Sequence, residues 1–186
     1  MKRTELLRTE YQLQAHPEGG WFAEVFRSEA KQGKRPFMGS IYFLLDGPEI
    51  SHLHQIDCEE IWYYHEGCGL KITLVEMNGM QAPVPCKAAA SAGSPVVRTL
   101  FLGADASAGQ KVMAVIPKGA IFAAENIDPA GYTFMSCATA PAFSYEGFRL
   151  VKKAELKELC GGLYSKACGG PDPAPDYETL EHLAFE

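Results

Sequence analysis

The chain has 186 residues, of which 47% are hydrophobic and 22% charged, a balance that suits one globular domain with a core of its own. A formal net charge of -6 without a Lys/Arg cluster disfavours nucleic-acid binding. No apolar run is long enough to span a bilayer, so no membrane association is expected. The opening MKRTELLRTEYQLQAH is charged throughout and lacks a signal-peptide apolar stretch, so the expected location is cytoplasmic. The six cysteines (Cys58, Cys68, Cys86, Cys137, Cys160 and Cys168) include no C-x-x-C pair and are expected to be free thiols.

Residues 3–14 read as a short helix, with Leu6, Leu7 and Tyr11 on an apolar stripe. His16-Pro17-Glu18-Gly19-Gly20 stops it, since Pro17 biases His16 away from helix and the glycines allow a turn. From Trp21 the period becomes two, with Trp21, Ala23, Val25 and Arg27 on one side and Phe22, Glu24, Phe26 and Ser28 on the other. A polar loop over 29–39 follows, then strands at 41–45, around His52 and His54, at 60–65 and at 70–77. Residues 78–95, rich in Ala, Pro, Ser and Gly, read as a long surface excursion. Strands are expected at 96–102, 111–116, 121–124, 132–138 and 143–151. A helix over 152–160, a stiff linker GGPDPAPD at 169–176 and a short helix over 178–185 complete the chain. Many short strands at close spacing suggest a barrel or jelly roll.

The stretch GPEISHLHQIDCEEIWYYHEG, 47–67, concentrates the chemistry. Side chains two apart on a strand share a side, so His52 and His54 are expected to converge. Two imidazoles and a carboxylate on one face hold many divalent metals, and Glu60 is the candidate carboxylate. A surface hairpin can carry the same residues with no ligand. Trp62 and Tyr64 share the parity of Glu60 and can stack on a flat or sugar-like ligand, or simply fill a core.

Gly47, His52, His54, Glu60 and Gly67 resemble the first motif of the cupin superfamily, a Gly, a His-x-His pair, a Glu and a closing Gly. One residue is missing before His52 and one extra stands before Glu60. Pro117, Gly119 and Asn126 resemble the second motif, but Phe122 stands where that motif has a histidine. A further set of stretches resembles one cupin branch of unknown function: HPEGGWFAEVFRS at 16–28, SIYFLLDG at 40–47, DCEEIWYYHEG at 57–67, IPKGAIFAAEN at 116–126 and GYTFMSCATAPAFSYEGFRL at 131–150. That branch is similar to sugar-nucleotide epimerases in fold and to seed-storage globulins in architecture. The resemblance implies an all-β fold, the cupin double-stranded β-helix or jelly-roll barrel with short flanking helices. It divides the chain into an N-terminal helix (1–15), the barrel (16–151) and a C-terminal helix and tail (152–186).

Within such a barrel, three readings stand. The first is a small polar ligand, sugar-like in kind, with a weakly held divalent metal (Ni, Zn, Mn or Fe) on His52, His54 and Glu60; Phe122 leaves at most these three ligands. The second is a metal-free isomerase of the sugar-epimerase kind, with His54 and Glu60 in acid–base roles and Tyr132 or Tyr64 as the acid. The third is a non-catalytic binding or storage-type protein. Glu18, Arg27, Trp62, Tyr64 and Phe122 are candidate ligand contacts, and Arg27 can instead pair with Glu24. The strand over 21–28 is apolar on both faces, and an open edge of that kind calls for a partner, so a homodimer is expected.

Overall fold

The computed structural model describes residues 1–76, 96–161 and 177–186. In chain order its elements are α1 (Arg3–Glu10), β1 (Gln14–Ala15), β2 (Trp21–Arg27), β3 (Lys31–Gln32), β4 (Arg35–Pro36), β5 (Gly39–Asp46), β6 (Ile50–Ile56) and β7 (Glu59–Gly67). There follow β8 (Leu70–Glu76), β9 (Val96–Leu102), β10 (Met113–Ile116), β11 (Ile121–Asn126), β12 (Tyr132–Ala140), β13 (Phe148–Leu150), α2 (Lys153–Gly161) and α3 (Tyr177–Leu180). The excursion expected over 78–95 and the linker over 169–176 lie outside the described residues.

Two antiparallel sheets face each other. One runs in the order β1-β2-β5-β12-β7-β10 and the other β13-β6-β11-β8-β9. Alternation decides what goes between them. Phe43 and Leu45 of β5, Trp62 of β7, Ile72 and Leu74 of β8, Phe122 of β11 and Met135 of β12 meet in one buried core. Fully burying side chains of this size contributes about 1.5–3 kcal/mol each. The outer faces are covered as well, which is why several strands read as continuous apolar runs. Leu7, Leu13, Leu44 and Phe134 pack together where α1 lies on the first sheet. Leu53, Val75, Ile121 and Ala123 meet Leu156, Leu180 and Leu183 where the C-terminal elements lie on the second.

The N-terminal helix is shorter than its stripe predicts. It ends at Glu10, Gln12 takes a φ of 52°, and Gln14 and Ala15 pair with Phe22 and Trp21 instead of extending the helix. The expected loop over 29–39 contains the small hairpin β3–β4.

Register shifts interrupt three of the pairings, and they place the site. Between Phe122 and Ala124 of β11, the partners on β6 jump from His54 to Ser51, so His52 and Leu53 together oppose Ala123. Between Glu24 and Phe26 of β2, Val25 is the extra residue against β5. Between Phe134 and Met135 of β12, His65 is the extra residue on β7. Each bulge reverses which side of the sheet the following residues face.

Candidate functional site

The His16–Gly20 loop is where the site begins. Gly19 and Gly20 have φ of 109° and 72°, the left-handed region that glycine enters without strain. A Cβ on Gly19 would collide with the carbonyl oxygen of Ile50, so the loop lies directly against β6. The His52 N–H donates to the Glu18 carbonyl at 2.8 Å and locks the loop there. Glu18, an acidic residue in a polar turn, is thereby buried, with 7% of its surface exposed.

The Glu18 carboxyl then finds three partners. Ser51 Oγ donates to its Oε1 at 2.8 Å. His54 Nε2 lies 3.3 Å and His16 Nδ1 3.4 Å from its Oε2. His54 Nδ1 stands 2.7 Å from the His52 carbonyl oxygen, a pure acceptor, so Nδ1 carries the hydrogen. The Nε2 of neutral His54 is then an acceptor, and it attracts Glu18 Oε2 only with a proton between them. Burial favours the neutral arrangement: it raises the Glu18 carboxyl above its usual range and drops His54 to about 4. Burial therefore works against the ion pair that the 3.3 Å separation would otherwise suggest. His16 accepts the Glu18 N–H on Nδ1 at 3.4 Å, and burial lowers its basicity too.

Glu60 arrives from the other sheet. On β7 it pairs with Ile116 and Thr139, with Trp62 two residues on facing the same way. Burial, reinforced by the nearby charge of Glu18, pushes the Glu60 carboxyl up to about 8. Its neighbours are Trp62 and Cys137; burial, then Glu60 and Glu18, hold that thiol well above the ordinary thiol range. The indole Nε1 of Trp62 is buried and makes no hydrogen bond of normal geometry, although it stands near enough to Glu60 to favour that carboxylate.

These groups surround a cavity of about 330 Å³. His16, Glu18, His54, Glu60, Trp62 and Cys137 form its polar part, and Phe22, Phe43 and Phe143 are among its apolar walls. Glu24 and Arg27 line it from the edge strand β2, where Arg27 Nε donates to Glu24 Oε2 at 2.9 Å. Both face the cavity because Val25 is bulged. Without that bulge, Glu24 and Arg27 would lie on opposite sides, as simple alternation predicts.

The expected residues divide accordingly. Glu18, Arg27, His54, Glu60 and Trp62 all line the cavity. Phe122 lies behind it in the core, its ring centroid 4.0 Å from that of His54. Tyr64 keeps the inward parity but donates its hydroxyl to the Gly67 carbonyl at 2.7 Å and does not reach the cavity. Tyr132 is a correction to the acid expected from sequence: it packs on the outer face beside α1, where its hydroxyl donates to Glu66 at 3.1 Å. His52 is a second correction. The β6 bulge turns it outward, onto the Leu183 carbonyl at 3.3 Å and against the ring of Phe185.

The expected metal-ligand set of His52, His54 and Glu60 is therefore not assembled. Among the described residues no group of three or more His, Cys, Asp or Glu side chains is arranged to hold a metal ion. His54 already spends Nδ1 on a backbone carbonyl and Nε2 on Glu18, and Phe122 fills the remaining side. The residues present do not fit a divalent ion.

His16, Cys137, Phe143 and Tyr145 were not among the sequence candidates for the site. His16 had a signal, since it stands two residues before Glu18 in the turn. Cys137 and the two aromatics had none, because Cys137 reaches the site only through the pairing of β12 with β7, and Phe143 and Tyr145 only by the fold of the segment between β12 and β13.

Two antiparallel sheets around a polar cavity define a cupin-type barrel. Residues 5–151 match the family described as Cupin superfamily (DUF985), and the chain belongs to that family. Among solved structures, the chain is similar to a hypothetical protein from Leishmania major, with 28% identity, a TM-score of 0.78 and 100% of both chains covered. It is also similar to a protein from Shewanella oneidensis, with 28% identity and a TM-score of 0.73, over 85% of this chain and 90% of that one. No curated protein matches the chain.

Proposed function

We propose that the barrel cavity binds a small polar, sugar-like molecule and that the Glu18–His54 pair moves a proton on it without a metal. The observation that carries this is the Glu18 carboxyl, buried yet lining a cavity of about 330 Å³ and held between two imidazoles. That volume sits at the small end of the roughly 300–1,000 Å³ of ligand pockets, the size for a single sugar ring.

A structural carboxyl would be cheaper to replace by an apolar side chain than to bury beside a second one. Glu18 offers an acid as it stands. Once its proton passes to His54 Nε2, it offers a base at the same position, with imidazolium stabilised by the His52 carbonyl. Removing a proton from carbon next to a carbonyl at this group and returning it to the neighbouring carbon is isomerisation.

The test is a panel of neutral monosaccharides read two ways, by melting temperature and by deuterium incorporation from D2O. Binding with exchange, and loss of exchange in Glu18→Gln with binding retained, is the expected result. Binding without exchange moves the protein to the non-catalytic binding class. No binding by any member removes the proposal.

A further inference from the structure

Resting on that reading of the cavity, we infer that its ligand carries a cationic amino group and that Glu60 is the residue that receives it. Glu60 has only 7% of its surface exposed and lines the cavity. Among the described residues, no Lys, Arg or His stands within ion-pair distance of its carboxyl. Glu18, by contrast, has His16, His54 and Ser51 around it. The side chains beside Glu60 are the neutral Trp62 and Cys137. Without a partner this carboxyl keeps its proton, because a bare buried charge costs several kcal/mol, and a cation entering the cavity would take the proton's place. Here the missing partner has a place to sit, since the carboxyl opens onto a cavity rather than onto packed core.

The rest of the wall selects the same charge. Arg27 is the cationic side chain that lines the cavity beside the two histidines, and Glu24 holds it through both Nε at 2.9 Å and Nη2 at 2.5 Å. A phosphate or carboxylate ligand would have to compete with Glu24 for Arg27 and would meet Glu18 and Glu60. Burial also leaves His16 and His54 harder to protonate than an exposed histidine. An ammonium group would meet two carboxyls and the faces of Phe22, Trp62, Phe143 and Tyr145, and aromatic rings attract cations through their quadrupoles. A hydroxylated amine of single-ring size, an amino sugar or an amino alcohol, fits both the volume and the charge.

Calorimetric titration just below neutral pH with glucosamine, glucose, glucose 6-phosphate and choline decides it. Glucosamine is expected to bind at least about ten-fold more tightly than glucose, the scale of one charge-assisted hydrogen bond, and glucose 6-phosphate not at all. Glu60→Gln, an isosteric change, is expected to erase the preference of the cavity for glucosamine over glucose. The wild-type comparison stands even if that variant fails to fold. Choline binding that Glu60→Gln abolishes also supports the inference, by cation recognition alone. Glucose equal to or tighter than glucosamine overturns the cationic ligand and leaves the sugar-binding reading intact. Silence from all four compounds overturns both.

Discussion

Glu60 and His54 are opposite in sign, and the pH dependence of stability separates them. His54 is held at about 4 in the fold, below the usual histidine value, so the unfolded chain binds the extra proton. Its contribution is present above the unfolded value and is lost as pH falls toward 4. Glu60 is held at about 8, above the usual carboxylate value, so the folded chain binds the extra proton. Its contribution is present at acid pH and is lost as pH rises toward 8. The two oppose each other from about pH 4.5 to 6.5, and from about 6.5 to 8 Glu60 acts without His54. Melting temperature is therefore expected to fall from pH 6.5 to 8 in the wild type, and to fall less in Glu60→Gln, which lacks that titrating carboxyl. An equal fall in both proteins, read by differential scanning fluorimetry, would show that Glu60 is not the titrating group.

At the scale of elements, one turn and two bulges build the cavity. Gly19 holds the turn against β6 at a φ that an L side chain rarely adopts. Gly19→Ala is expected to cost about 1–3 kcal/mol through the backbone alone, and more from the collision with Ile50. It should also pull Glu18 away from His54, so ligand binding should drop beyond what the lost stability explains. Urea denaturation and the sugar titration, run on the same preparation, test both parts. A variant within about 0.5 kcal/mol of wild type would mean that the loop is held by something other than this close approach. The bulges at Val25 and at His52–Leu53 do the complementary work on β2 and β6: they bring Arg27 into the cavity wall and turn His52 out of it.

For the whole molecule, β2 is the conspicuous edge. Beyond Phe22 it has β5 on one side and no strand among the described residues on the other. Val25 and Phe26 of β2 are half exposed, at 52% and 50%, and Phe37 beside the β3–β4 hairpin is also at 50%. Large apolar side chains on an open edge invite a partner. We propose a homodimer with these residues at the contact. Light scattering should give about twice the 20.3 kDa chain mass, and Val25→Lys with Phe26→Glu should give the monomer. A monomer mass for the wild type ends that proposal. Cys58, Cys68 and Cys137 form no disulfide within the chain.

The alternation of apolar residues by itself determined where most of the strands would form, because a strand's parity depends only on its own residues. It also determined that Glu60 and Trp62 would share one face, since no bulge interrupts β7 between them. Parity failed at His52, Arg27 and the Glu18 turn. At each, the side chain's direction depends on a bulge or a close approach to another strand, and those depend on the partner's register. His52 and His54 look like a pair in the chain, yet β11 separates them by leaving two residues opposite Ala123. The pairs that carry the chemistry, His16 and His54 with Glu18, and Glu60 with Cys137, join residues from different strands and loops. Only the closed barrel brings them together, because the depth at which each carboxyl is buried is a property of the packing and not of the carboxyl.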